Sequence, residues 1–421
     1  MYNHFDNLHL KGDKTSMNNR VLIDLDKDEK VPQLTFFQGV VDIKKNGRIR
    51  VKNSILENID TIPENELRYI LENFKSYISP IVTSQYIPNV SRMKILSEIA
   101  PEFKVRFKTE KPGTNKIIPI SSEEYFEGEK VFSEILKGIR PEWTELQKYK
   151  YLYNRNSQML SYDLNALLYT QYSNVHEKYS RNIFTAMSKN WGLCASFAAS
   201  YDYLCYRAGL ESQILSEEDH DYVLIEPSEQ DDLLTDSTYD SVYLKFGMKS
   251  KSFAISKEQF IKNDHNLAET EASDYEFGEL NDDDIKQLDM QTGYLNEFGG
   301  EYTDEYISNL ANSLEGNGNF EKALIFLDRI SRIKTVGRPS AYDFETIINF
   351  ILSKSKDKEF ANRIKVYSFI SENTRDLPRQ IAVEVHSEKI GEPTQYYILK
   401  DGVKSFERVE KIEESKQYKE K

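Results

Sequence analysis

This 421-residue chain has only two cysteines, and both fall in one short stretch, as Cys194 and Cys205. They lie about three turns apart on the helix that the stretch predicts, too far for an intramolecular disulfide. Nothing therefore marks an oxidising compartment. There is no Cys-x-x-Cys, no His-Glu-x-x-His and no glycine-rich phosphate loop, so no metal, nucleotide or flavin cofactor is expected. Long apolar runs are missing as well. Residues 1–11 are polar, with His4, Asp6 and His9 and no apolar signal core, and no segment approaches the length of a membrane span. The expectation is a cytoplasmic protein without membrane association; export without a classical signal is the alternative. Positive charge is in deficit: the formal net charge is −14, with acidic residues densest over 217–240 and 269–289. That balance disfavours nonspecific nucleic-acid binding and leans toward cationic substrates such as lysine-rich peptides or amines.

What is present centres on Cys194, in the run Trp191-Gly192-Leu193-Cys194-Ala195-Ser196-Phe197. From there Phe197, Ala198, Tyr201, Leu204, Cys205 and Ala208 recur at three- and four-residue spacing, and Gly209 supplies a left-handed stop. Cys194 thus falls at a helix N-terminus. Backbone NH groups and the positive end of the helix dipole favour a thiolate there, and the same NH groups suit an oxyanion. Cys205 lies well inside the helix among Tyr203, Leu204 and Tyr206 and reads as core.

His220 opens the strand-like run Tyr222-Val223-Leu224-Ile225, and Leu233-Leu234-Thr235-Asp236 reads as the next strand, antiparallel to it and carrying a carboxylate at its end. The separations are 26 residues from Cys194 to His220 and 16 from His220 to Asp236. They leave room for a helix return and a hairpin that would put Asp236 beside His220. A thiol nucleophile, a base to take its proton and a carboxylate to orient that base are the components of covalent acyl transfer. Taken singly, the bland readings compete: a core thiol, a solvated histidine, and an aspartate that merely starts a turn with Ser237 and Thr238.

These segments resemble the transglutaminase-like superfamily. Its Gly-x-Cys before an Ala-rich helix corresponds to Gly192-Leu193-Cys194, and its Ala-Gly helix end to Ala208-Gly209. Its His-Ala-Trp and Asp-x-Thr-Trp become His220-Asp221-Tyr222 and Asp236-Ser237-Thr238-Tyr239. The resemblance covers residues 140–245, about a quarter of the chain. It implies an α+β core related to papain-type folds, with Cys194, His220 and Asp236 as the catalytic triad. Tyrosine stands where the family has tryptophan, at Tyr222 and Tyr239, which with Trp191 would wall the substrate site. The upstream oxyanion donor of the family is sought near Tyr169 and Gln171. The implied activity is a cysteine protease or amidase acting on a peptide or protein, with transamidation of glutamine onto an amine co-substrate as the variant. A catalytically inactive peptide-binding scaffold is the alternative class. Oligomeric state has no signature.

Around the core (136–262) the sequence suggests an N-terminal α+β region (1–135), an acidic linker or lid (263–300), a C-terminal helical and β-hairpin region (301–410) and a charged, frayed tail (411–421). In the first region, residues 34–37, 40–43 and 49–51 read as strands, with a turn at Asn46-Gly47. Residues 64–78 read as a helix with Leu67, Ile70, Leu71, Phe74 and Ile78 on one face, and 103–107 as a strand. Asp24, Asp26 and Asp28 begin like a calcium loop but lack its glycine and closing glutamate, so no metal is assigned. Residues 307–330 suggest one helical hairpin, without the second copy that a tetratricopeptide array needs. Residues 380–385 and 395–399 read as strands, with a turn at Asp401-Gly402.

Overall fold

A computed structural model describes residues 22–24, 41–43, 48–51, 56–84, 90–107, 119–163, 182–216, 220–229, 231–255, 260, 280, 288, 304–312, 320–333, 335, 339–369, 380–387, 391–400 and 406–410. Helices and sheets are mixed in an α+β arrangement, and the chain divides into two compact units, Met1–Lys130 and Val131–Lys421.

In the first unit, β1 (Leu22–Asp24), β2 (Val41–Ile43) and β3 (Arg48–Val51) pair antiparallel in the order β1-β3-β2. Asp24 is therefore a strand residue, opposite Arg48. Helix α1 (Glu64–Phe74) buries Leu67, Ile70 and Leu71 at helical spacing, and the predicted helix tightens into a 3-10 turn at Lys75–Tyr77. Strand β4 (Ile81–Ser84), helix α2 (Val90–Ile99), β5 (Lys104–Phe107) and β6 (Ile120–Ser121) follow. β4 runs parallel to β5 and β6 antiparallel. Helix α3 (Ser122–Leu136) spans the division between the units in sequence.

The second unit begins with α4 (Glu145–Met159), started by a capping box in which Thr144 and Gln147 satisfy each other's backbone NH. Next come β7 (Ser161–Tyr162), α5 (Ile183–Lys189), β8 (Trp191–Gly192) and α6 (Cys194–Arg207). Gly209 has φ of 73°. Around it the NH of Leu210 reaches the Cys205 carbonyl at 3.0 Å and the NH of Gly209 reaches Tyr206 at 3.1 Å. This is the Schellman closure that a glycine there permits.

Strands β9 (Ser212–Ser216), β10 (Asp221–Ile225) and β11 (Leu233–Thr235) lead to helix α7 (Ser237–Lys245) and β12 (Phe253–Ile255). The strands form one antiparallel sheet in the order β12-β11-β10-β9. Tyr222, Leu224, Leu234 and Leu215 cluster with Phe260 on one face, while Val223 and Ile225 alternate to the other. Helix α6 packs on β9 and β10, and α4 packs on α6 and α7. The sequence predicts a strand through Asp236. Instead the strand stops at Thr235 and Asp236 caps α7, because its carboxylate takes the first free NH groups of that helix.

Helices α8 (Asp304–Asn312), α9 (Phe320–Ser331), α10 (Ala341–Ser353) and α11 (Lys358–Arg363) precede β13 (Ile364–Phe369), β14 (Gln380–Val385), β15 (Gln395–Lys400) and β16 (Glu407–Val409). The strands form a sequential antiparallel sheet. One hydrophobic cluster joins Val242, Phe246 and Met248 to Ile307, Phe326, Ile347, Ile351, Ile381 and Tyr397. Each fully buried side chain of this kind contributes about 1.5–3 kcal/mol. The helix capped by Asp236 thus shares its core with the C-terminal helices and sheet.

No helix among the described residues is long and apolar enough to cross a membrane. The predicted strand at 34–37, the turns at 46–47 and 401–402, the tail at 411–421 and the acidic stretch at 263–300, apart from Leu280 and Leu288, lie outside the described residues.

Candidate active site

Cys194 is the first residue of α6. It is held there by a parallel bridge in which β7 pairs with β8, setting Tyr162 opposite Gly192. Gly192 has no room for a side chain: a Cβ there would come within 2.6 Å of the Ser196 Cβ. Leu193 occupies the N-cap, and its side chain makes no capping hydrogen bond. The neighbouring helices differ. α4 is capped by Thr144, α5 by Asn182 and α7 by Asp236. The helix that carries the half-buried Cys194 therefore has no side-chain capping oxygen to compete with an anion at its positive end.

His220 stands immediately before β10, with Nε2 2.6 Å from Oδ2 of Asp236. Cys194 is a further side-chain hydrogen-bond partner of His220. Nε2 is the nitrogen that meets the carboxylate. Burial pulls the imidazolium down, but the hydrogen bonds to Asp236 and Cys194 and the charges of both outweigh it and raise the group to about 10.

Asp236 is 1 % exposed, and every side of it is engaged. Oδ1 accepts from the NH of Thr238 at 2.8 Å and that of Tyr239 at 3.4 Å. Its own NH donates to the Ser252 carbonyl at 2.8 Å. Its carbonyl accepts from the Tyr153 hydroxyl at 2.6 Å. The same hydroxyl lies 2.7 Å from Asp240, a buried carboxyl that burial pushes up against three hydrogen bonds. One carboxylate therefore both starts α7 and orients the histidine.

The aromatic residues separate into two groups. Tyr222 is buried, stacks on His220 at 6.4 Å and packs against Phe260 at 4.8 Å. It backs the imidazole from the sheet core and does not line an open wall, because strand alternation turns it inward. Tyr239 meets His220 edge-on at 5.6 Å and is 45 % exposed, so it forms a lip of the site. Trp191 is half-buried in β8, opposite Ser161. Gln171 and Tyr169 lie outside the described residues.

Two residues without a sequence-based role belong to the surroundings of the site: Tyr162, whose hydroxyl feels the charge of Cys194, and Tyr342, whose ring neighbours that of Tyr162. Burial raises the Tyr162 hydroxyl above the ordinary phenol range, and the charges of Cys194, Tyr342, Tyr239 and Asp163 add to the rise. It is a protonated donor at neutral pH. The Tyr342 ring lies 6.4 Å from that of Tyr162. Tyr162 sits in a two-residue bridge that shows no periodicity. Tyr342 lies within Ser340-Ala341-Tyr342-Asp343, a readable capping-box pattern that announces a helix start but not where the helix docks. Cys205 is fully buried, and burial first, then the charge of Asp202, pushes its thiol up. Among the described residues no group of three His, Cys, Asp or Glu side chains gathers as for a metal.

No family model matches the chain, and no curated protein matches it by sequence. Among solved structures it is similar to one titled "Crystal structure of a TGase", at 12 % identity and a TM-score of 0.25, over 34 % of this chain and 38 % of that one. A likeness of that size carries no weight for fold or chemistry.

Proposed function

We propose that the protein is a cysteine-dependent acyl-transfer enzyme with a transglutaminase-like core over residues 140–245, and that it hydrolyses peptide or amide bonds. The observation that carries this reading is the His220 imidazole, hydrogen-bonded at once to Asp236 and to a cysteine at an uncapped helix start.

In the proposed reaction the Cys194 thiolate attacks the carbonyl carbon, and the carbonyl π electrons move to oxygen. The backbone NH of Cys194 and the Tyr162 hydroxyl are the candidate donors to that oxyanion. The imidazolium of His220 protonates the leaving amine as the C–N bond breaks, which leaves a thioester and a neutral imidazole. Imidazole then takes a proton from water. The resulting hydroxide equivalent adds to the thioester, and the thiolate leaves with the acid released. An amine in place of water gives transamidation. Asp236 orients the ring throughout.

The test is to trap the intermediate. The protein is mixed with a panel of peptide p-nitroanilides and glutamine peptides, quenched in acid and digested, and the Cys194 peptide is weighed. An acyl adduct on Cys194 that disappears in His220→Ala is expected. Absence of any adduct, together with a thiol indifferent to His220, would overturn the reading and leave a peptide-binding scaffold.

A further inference from the structure

A buried polar network ties the candidate site to a helix far downstream. Lys245, at the end of α7, and Asp343, in the first turn of α10, are both fully buried and 3.3 Å apart. Lys245 Nζ also donates to Ser161 Oγ at 2.8 Å and to the Leu160 carbonyl at 2.5 Å. Ser161 Oγ donates to Asp343 Oδ2 at 2.9 Å across 182 residues of sequence. Asp343 completes the capping box with Ser340, accepting from its NH at 2.7 Å.

Those contacts hold three pieces in register. Ser161 belongs to β7, which pairs with the residues just before Cys194. Lys245 belongs to the helix whose cap orients His220. Asp343 carries Tyr342 beside it. That ring lies 6.4 Å from Tyr162 at an interplanar angle of 40°, and both side chains are half-buried, so part of each faces solvent. With Tyr239 as the exposed lip over His220, phenol rings are contributed by three separate elements, β7, α7 and α10, and the Tyr162 hydroxyl feels the charges of Cys194, Tyr342 and Tyr239 together. Partly open aromatic clusters gain from a further ring at offset or edge geometry.

Resting on the acyl-transfer reading above, we infer that Tyr342 is a specificity-determining residue, supplied to the site by α10. It selects acyl donors that carry an aromatic or large apolar group next to the reactive carbonyl. The Asp343–Lys245–Ser161 network is what fixes it there.

The probe pair is iodoacetamide and iodoacetanilide, which share a warhead and differ by a phenyl ring on the amide. Their rates at Cys194 are read by peptide mass spectrometry in the full chain. Wild type, Tyr342→Phe, Tyr342→Ala and, as a control, Tyr206→Ala, a residue of α6 that is 75 % exposed, are compared. The anilide-to-amide ratio is expected to fall about tenfold in Tyr342→Ala, to be kept in Tyr342→Phe and to be unaltered in Tyr206→Ala. A ratio in Tyr342→Ala that does not fall overturns the inference, as does an equal fall in the control. Failure of the underlying reading shows differently: wild-type Cys194 would then alkylate no faster than it does in His220→Ala, whatever the ratio. Using a rate ratio within one variant removes differences in folded fraction.

Discussion

Cys194 and Cys205 lie on one helix about three turns apart, with the same side chain and opposite surroundings. Cys205 is packed among tyrosines in the core, where burial holds its proton on. Cys194 is half-buried at the first helical position and shares an imidazole with Asp236. In the proposed chemistry, reactivity belongs to the position and not to the residue. It needs a helix start without a capping oxygen, a histidine held by a second helix cap, and a strand that keeps the two in register.

The largest way to break that contrast is through its register. Asp343→Asn would strand a fully buried Lys245, and removing one partner of such a pair costs roughly 3–5 kcal/mol. Lys245 is already pulled below its ordinary range by burial, against the opposing pull of Asp343. The expected result is a large fall in the urea midpoint for Asp343→Asn. A smaller loss is expected for the double variant Asp343→Leu with Lys245→Met, since no buried charge is left unpaired and what remains is the cost of freeing Ser161, the Leu160 carbonyl and the Ser340 NH. Equal losses in both would show that shape at this point matters more than charge.

Next in size is Asp236→Asn. Asparagine still caps a helix, so α7 should persist while the imidazolium loses the hydrogen bond and charge that raise it to about 10. The alkaline limb of acyl transfer, the step that uses the imidazolium as acid, is expected near pH 10 in wild type and should therefore move down. The same shift sets a stability window. The folded value lies above the roughly 6.5 of free imidazole, so the stabilisation from His220 is fully present below about 6.5 and is lost as pH rises toward about 10. Urea titrations at pH 6 and pH 10 should show that loss in wild type and a smaller one in the variant.

The smallest expected effect comes from sharpening the helix-start argument. Leu193→Ser would introduce a side-chain cap where there is none. Competition for the first NH groups should slow alkylation of Cys194 by roughly twofold to fivefold, the equivalent of about 0.3–1 kcal/mol, and leave Cys205 as unreactive as before. Faster alkylation would mean that the helix terminus does not contribute.

The site was partly legible because its legible parts are local. The α6 periodicity and its glycine stop, the apolar run of β10 and the turn into β11 are encoded within a few residues of each other. So were strands β14 and β15. Helix α7 has no such local signature, because Ser-Thr-Tyr-Asp-Ser-Val-Tyr is poor in helix formers and Asp236 reads equally well as a turn. Strand β13 does alternate, in Ile-Lys-Val-Tyr-Ser-Phe, and that signal was available. Tyr162 and Tyr342 are beyond reach for a different reason: a two-residue bridge has no period, and a ring contact between positions so far apart in sequence leaves no local pattern. The C-terminal helices looked like a separate region because each has its own amphipathic face. Those faces close on the same cluster as Val242 and Phe246, a fact of packing that spacing does not encode.

The most direct measurement is the pH dependence of iodoacetamide alkylation at both cysteines, in wild type and in His220→Ala. Cys194 should react readily at neutral pH in wild type, with a fall of about tenfold or more when His220 is removed, while Cys205 stays protected in both folded proteins. Equal, slow alkylation of Cys194 and Cys205, unchanged by loss of His220, would contradict the pairing of thiol and imidazole on which the proposed chemistry depends.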